Sequence, residues 1–374
     1  MTAAVKHLYV HLPFCAQRCG YCDFVTVVGR RGQHRAYVNG LLAELELERD
    51  QLAPNLETVF LGGGTPTFTE PAELERLLGA LPIAEEVTVE ANPETVTPEL
   101  AALLRRSRVT RVSLGVQSFQ RRLLDVLDRV AGPDDVRRAL YHLRDAGFDN
   151  ISFDLIDGIP GQEPADLAAD IEEALALRPE HLSCYELEAK PGTRFTHAHG
   201  AELVRQADAM EGYFSTVVDS LVAAGYRWYE TANFCRIDDG TGRDLRSRHN
   251  LAYWRGRDYL GLGIGAVSTV DGIRWRNTPR LAAYLAAAVE HAVPPRDYEP
   301  LSDETRREER VLLGLRLDEP LPLAPLFNAL DDAALERLER LGLAQRLSDA
   351  GTASVTLTPR GRLVGGAVTA DLLA

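Results

Sequence analysis

Three of the five cysteines in this 374-residue chain lie within one short segment. Cys15, Cys19 and Cys22 form a C-x3-C-x2-C array in HLPFCAQRCGYCDF. Thiolates are soft ligands that suit zinc, copper(I) and iron–sulfur clusters. A structural zinc site takes four protein ligands, whereas three cysteines can hold three irons of a [4Fe–4S] cube and leave the fourth iron open. The array therefore predicts a reactive cluster; the alternative is that these cysteines are small core residues.

Six repeating units in the first half of the chain would position such a site. Short apolar runs alternate with amphipathic stretches, which is the pattern of βαβ units with a parallel sheet. The predicted strands begin at Leu8, Thr58, Glu86, Arg111, Ile151 and His181. This pattern predicts an α/β fold that is a barrel or part of one, with its chemistry at the carboxyl ends of the strands.

Polar residues cluster at those strand ends. They are the three cysteines, Gly62 to Gly64, Glu90, Asn92, Gln117, Ser118, Asp154, Asp157, Glu186 and Glu188. The glycines of GGGTPT either let a ligand approach the backbone closely or only form a tight turn. Glu90 and Asp154 could bind an amine or ribose hydroxyls, with Arg129 as a partner, or could form structural ion pairs.

Two later segments offer further chemistry. RHNLAYW, from Arg248 to Trp254, sets a His-Asn pair beside Tyr and Trp. An imidazole next to flat aromatic rings suits an axial ligand of haem, although a single histidine is more often a hydrogen-bonded structural residue. GLGIGA, from Gly261, matches a dinucleotide fingerprint, but the residues after it are typical of strand and turn, so we expect no nucleotide site there. We expect Cys184 and Cys235 to be core residues.

Composition bounds the class of protein. The chain is 45% hydrophobic and 26% charged, and its net charge of −14 argues against binding to nucleic acid. The few cysteines outside the array argue against a disulfide framework, and there is no apolar run of transmembrane length. We therefore expect a soluble, cytoplasmic protein. Its predicted parts are a barrel (1–235), an aromatic-rich extension with HNLAYW (236–299) and a small domain of winged-helix-like pattern (300–374).

Together these motifs resemble the radical S-adenosylmethionine (SAM) superfamily, where C-x3-C-x2-C is the defining cluster motif. FLGGGTPT, VEANPE, RVSLGVQSF and ISFDLIDGIPGQ are similar to its oxygen-independent coproporphyrinogen oxidase-like branch, in order along the chain. The resemblance implies a partial (β/α)6 radical SAM barrel, a [4Fe–4S] cluster on Cys15, Cys19 and Cys22, and SAM on the open iron. It also implies SAM contacts from Tyr9, Tyr21, Gly63, Gly64, Thr65, Glu90, Gln117, Arg129 and Asp154.

Two features separate members of this branch. Phe24 stands where the oxidases carry a further cysteine, and HNLAYW resembles the HNxxYW motif of the HemW family of haem chaperones. That resemblance implies haem binding, with His249 as the candidate ligand and Asn250, Tyr253 and Trp254 around it. It further implies transfer of haem to acceptor haemoproteins such as respiratory enzymes. It leaves open whether SAM is cleaved, whether the protein touches a membrane surface, and whether it is a monomer or a homodimer.

Other functions stay open at this point. The chain could be a coproporphyrinogen III oxidase, or a radical SAM methyltransferase or cyclopropanase of the same branch. A structural protein without a cluster is the remaining alternative. Two positions depart from the branch's usual pattern, since Asp157 replaces a tyrosine and Val267 replaces a histidine.

Overall fold

The computed structural model describes residues 4–190, 194–237, 240–326, 328–349 and 351–373. The strands are β1 (His7–Leu12), β2 (Phe14–Cys15), β3 (Val27–Val28), β4 (Leu56–Gly63), β5 (Ala84–Ala91), β6 (Arg111–Gln117), β7 (Ile151–Asp157), β8 (His181–Glu186), β9 (Tyr226–Glu230), β10 (Asn233–Arg236), β11 (Leu260–Leu262), β12 (Val267–Val270), β13 (Ile273–Asn277), β14 (Arg296–Pro300), β15 (Leu321–Pro322), β16 (Ala344–Asp349) and β17 (Thr352–Leu357). The helices are α1 (His34–Glu48), α2 (Pro71–Ala80), α3 (Pro98–Arg106), α4 (Arg121–Val126), α5 (Pro133–Asp145), α6 (Pro164–Ala176), α7 (Arg194–Gln206), α8 (Met210–Ala223), α9 (Arg248–Trp254), α10 (Leu281–Val289), α11 (Asp303–Gly314), α12 (Asp332–Arg340), α13 (Pro359–Leu363) and α14 (Gly365–Leu372).

A nine-stranded sheet organises the molecule, in the order β11-β1-β4-β5-β6-β7-β8-β10-β9. The six predicted strands all form, and they lie side by side in chain order as parallel neighbours. The short strand β11 adds to β1 in parallel, while β10 and β9 continue the other edge in the antiparallel sense. The predicted α/β fold with a mainly parallel sheet is confirmed, and all six carboxyl ends meet at one rim.

The helices between the strands begin where the sequence places helix-start signals. At α3, the Thr97 hydroxyl accepts a hydrogen bond from the backbone N–H of Leu100 at 3.2 Å, and Pro98 occupies the first turn. At α5, the Asp135 carboxylate accepts from the backbone N–H of Gly132 at 2.7 Å. The buried faces of both helices carry leucines at helical spacing, which pack on the sheet. In the described residues, no helix is both long enough and apolar enough to cross a membrane.

A buried polar network joins α1 to the segment after β11. The Glu44 carboxylate accepts hydrogen bonds from the Tyr284 hydroxyl at 2.7 Å and from the Asn277 amide at 2.6 Å. Arg296 lies 2.6 Å from Glu48 and 3.5 Å from Glu44. Because buried carboxylates need partners, this network holds the segment tightly against the barrel.

The last part of the described chain has a core of its own. The three-stranded antiparallel sheet β15-β17-β16 packs with α11, α12 and α14 around Val311, Leu335 and Val355. The residues from β11 to α10, in contrast, share the main core and the main sheet. We therefore propose the boundary near 300 on the basis of the separate core. The boundary near 235 and the winged-helix-like assignment stay predictions.

Candidate functional site

A cavity of about 550 Å³ lies at the carboxyl ends of the central strands, and we call it the rim cavity. Its lining contains all the residues predicted for the cluster and for SAM except Tyr9: Cys15, Cys19, Tyr21, Cys22, Gly63, Gly64, Thr65, Glu90, Gln117, Arg129 and Asp154. Strand ends far apart in sequence meet here because neighbouring parallel strands end at the same edge of the sheet.

The cysteine loop begins directly after β1. Phe14 and Cys15 pair in parallel with Val27 and Val28, which closes the loop on itself. Within it, the backbone N–H of Cys22 donates to the carbonyl of Cys19 at 3.2 Å. Cys15 is buried, whereas Cys19 and Cys22 are half-buried. Burial raises the pKa of the Cys15 and Cys22 thiols, so a metal must compensate for the cost of forming their thiolates.

Arg129 is the cation at this loop. Its guanidinium donates to the Cys19 sulfur at 3.7 Å, to the Asn92 side-chain oxygen at 3.0 Å and to the Gly115 carbonyl at 2.7 Å. These hydrogen bonds go to a sulfur, an amide and a carbonyl rather than to the predicted partners Glu90 and Asp154. Burial raises the pKa of Asp154 and the charge of Arg129 acts against that rise, so Arg129 interacts with Asp154 electrostatically. The buried Nε of Arg129 has no hydrogen-bond partner among the described residues. A positive group with spare donor capacity beside the thiols fits an anionic ligand in the cavity.

The donor set fits an iron–sulfur cube better than a single ion. Among the described residues, no three His, Cys, Asp or Glu side chains lie close enough together to hold one metal ion. An iron–sulfur cube does not need three side chains around one ion, because each cysteine binds a different iron. The sulfur-only donors of the loop are also the ligands that iron–sulfur clusters take.

The glycines at the end of β4 leave space for the cysteine loop. A Cβ on Gly64 would lie 2.6 Å from the backbone of Pro13 and 3.0 Å from the Cys15 sulfur. Gly63 has φ +111°, a conformation that favours glycine, and a Cβ there would overlap the His11 ring. These glycines therefore allow β4 to approach the cysteine loop closely, and they do more than form a tight turn.

Two carboxylates lie on the floor of the rim cavity. Glu90 accepts a hydrogen bond from the backbone N–H of Gly63 at 3.1 Å, and Asp154 accepts from the Ser113 hydroxyl at 3.1 Å. Burial, and next the charge of Asp154, raise the pKa of Glu90 to about 7; burial also raises the pKa of Asp154. Gln117 sits beside them at φ +68°, where the register between β6 and β7 shifts. Backbone strain of this kind is typical of functional sites.

Tyr9 does not line the rim cavity. Its hydroxyl hydrogen-bonds to His11 Nδ1 at 3.0 Å, and its ring stacks on Phe60. It lines a smaller neighbouring cavity of about 240 Å³, together with Phe24 and Tyr253. The two cavities share Asp23 and Phe24, and the contact of Tyr9 with SAM stays a prediction.

The HNLAYW segment forms helix α9, capped by the Ser247 hydroxyl, which accepts from the backbone N–H of Asn250. His249 is only 1% exposed. Its Nδ1 lies 2.7 Å from the Thr58 hydroxyl, its Nε2 lies 3.0 Å from the Tyr253 hydroxyl, and its ring stacks on Phe60 at 5.1 Å. Burial lowers the pKa of His249 to about 3.

The role of His249 as an axial haem ligand stays a prediction. In this structure both ring nitrogens have hydrogen-bond partners, and the ring faces the interior. The imidazole thereby joins α9 to β4, which is the structural role that a lone histidine most often has. Tyr253 and Trp254 are half-buried at the surface of the helix and line a large cleft, while Asn250 does not line it.

The chain was compared with known families and proteins. The family model of the Radical SAM superfamily matches residues 9–174. The haem chaperone HemW of Mycobacterium tuberculosis is 37% identical, and the match covers 98% of this chain and 94% of that protein. HemW of Bacillus subtilis is 32% identical, over 97% of this chain and 98% of that protein. The chain belongs to the HemW family of the radical SAM superfamily.

A solved structure shows the same fold. Coproporphyrinogen III oxidase (HemN) of Escherichia coli superposes with a TM-score of 0.78, covers 98% of this chain and 90% of its own, and is 22% identical. This likeness establishes the radical SAM fold of the HemW-family chain. Membership of the superfamily implies a [4Fe–4S] cluster and SAM as cofactors, and the rim cavity has the donors for both.

Some residues of the rim cavity were not among the predicted site residues. The Asn92 side-chain oxygen accepts a hydrogen bond from Arg129, and the Ser113 hydroxyl donates one to Asp154. Tyr185 and Lys190 also line the cavity. Position at a strand end singled out Asn92, but nothing in the sequence marks Ser113, because it lies inside β6 and only the pleat turns it toward Asp154. The expected core placement of Cys184 and Cys235 is confirmed, and β12 rather than a helix follows GLGIGA.

Proposed function

We propose that this chain is a haem chaperone, which binds haem and passes it to acceptor haemoproteins, and that it carries a [4Fe–4S] cluster with SAM in the rim cavity. The observation that carries the proposal is its likeness to HemW chaperones over nearly the whole length. Phe24 adds to it, because the position at which the oxidases have a further cysteine holds a side chain that cannot ligate iron and is 66% exposed.

Cys15, Cys19 and Cys22 would hold the cluster, and Arg129 would balance its negative charge. A cluster held there would supply a one-electron reductant next to the SAM sulfonium. Glu90 and Asp154 would accept hydrogen bonds from the ammonium and hydroxyl groups of SAM. Gly63, Gly64 and Thr65 would form the side of the SAM site next to β4.

The cofactor part is tested by reconstituting the purified chain with iron and sulfide without oxygen. We expect iron–sulfur absorbance and bound iron in the wild type, and loss of both in Cys19→Ser. Cys235→Ser, a core cysteine away from the cavity, is the matched control and should keep the cluster. Equal iron content in the two variants would contradict the assignment.

The haem part is tested by titrating the reconstituted protein with haem and following the Soret band, then adding the apo form of a respiratory b-type haemoprotein. We expect uptake of haem and its transfer to that acceptor. Absence of haem uptake by the wild type would refute the chaperone function. Anaerobic conversion of coproporphyrinogen III to protoporphyrinogen would show instead that the chain is an oxidase.

A further inference from the structure

A buried arginine lies below the floor of the rim cavity. Arg111 is the first residue of β6, and only 2% of it is exposed. Its Nη2 donates to His181 Nδ1 at 3.2 Å, and its Nε has no hydrogen-bond partner among the described residues. In that part of the chain it also forms no ion pair with a carboxylate. Burying a guanidinium without a contacting counter-charge is costly, which indicates that its charge acts over a longer range.

The hydrogen bond to His181 does not require a positive charge. Because a guanidinium can only donate, His181 Nδ1 is the acceptor, and Nε2 carries the proton that faces the Tyr229 hydroxyl at 2.8 Å. The Ser152 hydroxyl already lies 2.8 Å from the same Nδ1. Burial, and next the charge of Arg111, lower the pKa of His181, so this ring stays neutral. A neutral donor would therefore serve His181 as well as Arg111 does.

The strand register brings Arg111 under the two carboxylates of the cavity floor. Between β5 and β6, Glu90 pairs with Ser113, two residues after Arg111. Side chains alternate along a strand, so Arg111 and Ser113 share one face of β6. That face is the one toward the cavity floor, because the Ser113 hydroxyl donates to Asp154 at 3.1 Å. Arg111 therefore occupies the layer directly below Glu90 and Asp154.

The neighbouring strand β7 gives the separation of these charges. Ser152 lies two residues before Asp154 on this strand, and its hydroxyl and the Arg111 guanidinium both reach His181 Nδ1. The guanidinium thus lies at the level of Ser152, and two residues of a strand span about 7 Å. Opposite unit charges this far apart in a partly buried site change an equilibrium by about 10-fold or more. The separation is too long for an ion pair and short enough for a strong electrostatic effect.

Arg111 opposes the effect of burial on three carboxyls. Burial raises the pKa of Glu86, Glu90 and Asp154, and the charge of Arg111 acts against that rise at each of them. At Asp154 its contribution to the pKa exceeds that of Arg129, the other nearby cation. One buried cation thus serves several carboxyls, two of which line the rim cavity.

Other titratable or charged side chains also interact with Glu90 and Asp154. They are Tyr9 on β1, Tyr21 in the cysteine loop, Arg129 after α4, Cys184 and Tyr185 on β8, and Tyr253 on α9. Burial raises the pKa of the tyrosines and of Cys184, so these groups stay neutral near pH 7. Exposed or half-exposed charges line the cavity as well, where water and salt screen them: Arg18, Asp23, Glu186, Glu188 and Lys190. Because all these groups are the same in the variants below, their contributions cancel in a comparison with the wild type.

We propose that Arg111 is a positioning residue of the SAM site, whose positive charge keeps Glu90 and Asp154 ionised so that they accept the ammonium and hydroxyl groups of SAM. The inference rests on the proposed binding of SAM in the rim cavity. It adds a residue that lies outside the cavity lining and acts through the two carboxylates.

The test measures SAM binding by equilibrium dialysis without oxygen, on the full-length protein reconstituted with iron and sulfide. Arg111→Gln removes the charge but keeps a donor for His181, whereas Arg111→Lys keeps the charge. Arg296→Gln, at a buried arginine outside the cavity, is the control for the general effect of replacing such a residue. Iron content and thermal unfolding of each variant establish that it is loaded and folded.

The readout is the affinity of each variant relative to the wild type at pH 6.0 and pH 8.5, a ratio in which the ionisation of SAM itself cancels. The pKa of Glu90 is about 7 in the wild type, and it rises when the cation is lost, so the ionised form becomes scarcer at low pH. We expect Arg111→Gln to bind SAM about 10-fold more weakly at pH 6.0 and less than about 2-fold more weakly at pH 8.5. Arg111→Lys and Arg296→Gln should stay within about 3-fold of the wild type at both pH values.

The two proposals fail in different ways. If the loaded wild type binds no SAM, the proposed SAM site is refuted. If the wild type binds SAM but Arg111→Gln loses the same factor at both pH values, or Arg111→Lys loses as much as Arg111→Gln, then the arginine acts only through packing and the inference is overturned. If Arg111→Gln does not fold, Arg111→Gln/Glu86→Gln removes a negative charge together with the positive one. This double variant should also bind SAM more weakly at pH 6.0 than at pH 8.5 relative to the wild type, and an unchanged ratio would overturn the inference as well.

Discussion

Replacing His249 with alanine tests whether this side chain holds α9 on the sheet. The ring is 1% exposed, and its nitrogens lie 2.7 Å from the Thr58 hydroxyl and 3.0 Å from the Tyr253 hydroxyl. Each hydrogen bond contributes about 1 kcal/mol, and the cavity left by a large buried side chain costs about 2 kcal/mol or more. We therefore expect the free energy of unfolding to fall by about 3–4 kcal/mol at pH 7.5, measured by urea denaturation of the apo-protein.

The same variant should show a defined pH dependence. The pKa of His249 is lowered from 6.5 to about 3 in the folded protein. Below pH 6.5 the unfolded chain gains a proton there that the folded chain does not accept, so the contribution of His249 is complete above pH 6.5 and declines as the pH falls towards 3. At pH 5 the loss is about 2 kcal/mol, from 1.36 kcal/mol for each pH unit. The difference between wild type and His249→Ala should therefore narrow to about 1–2 kcal/mol at pH 5.

Comparing two proteins isolates this effect. The carboxyls of Glu90 and Asp157, whose pKa values are raised to about 7, also change the stability between pH 7.5 and 5, but equally in both proteins. His197→Ala, at an exposed position on α7, should change the free energy of unfolding by less than about 0.5 kcal/mol. A cost of His249→Ala below about 1 kcal/mol, or a difference that stays constant between the two pH values, would refute the reasoning.

Other substitutions test the site and the frame around it. Gly64→Ala should lower the stability by about 2 kcal/mol and should lower the iron content after reconstitution. The control is Gly79→Ala in α2, where the added Cβ meets open space; it should stabilise the protein by about 0.5 kcal/mol. Unchanged cluster loading in Gly64→Ala would show that the loop can adapt. Arg296→Met should lower the free energy of unfolding by about 3–5 kcal/mol, because Glu44 and Glu48 would stay buried without their cation. If this substitution cost less stability than the substitution of an exposed arginine, the account would be contradicted.

The central sheet could be predicted from the sequence because its strands are buried on both faces. Each appears as a short apolar run between amphipathic stretches, and the order of parallel βαβ units follows from the connections. The two edges could not be predicted in the same way. Strand β11 has only three residues, and its pairing with β1 depends on tertiary packing through Glu44 and Asn277 rather than on a local pattern.

The rim cavity was predictable for the same geometric reason. Tyr9 lies three residues before the end of β1, about 10 Å along the strand, and it lines the smaller neighbouring cavity. Arg129 was predicted as a partner of carboxylates because opposite charges are the obvious pairing. Its hydrogen bonds to Asn92 and Gly115 depend on how the segment after α4 folds back, and no spacing in the sequence reveals that.

The cysteines and His249 show that a sequence pattern of metal-binding residues does not reveal whether their donor atoms are available to a metal. Both segments carry atoms that bind metals. The Cys15 and Cys19 sulfurs each accept one hydrogen bond, at 3.5 and 3.7 Å, and line a cavity. The His249 nitrogens are held at ordinary hydrogen-bond distances inside the core. Whether the His249 nitrogens are available depends on two hydrogen-bond partners, Thr58 in β4 and Tyr253 in the next turn of α9. The fold brings these partners to the ring, so the local sequence does not reveal them. The thiols remain available to bind iron, and the imidazole joins α9 to β4.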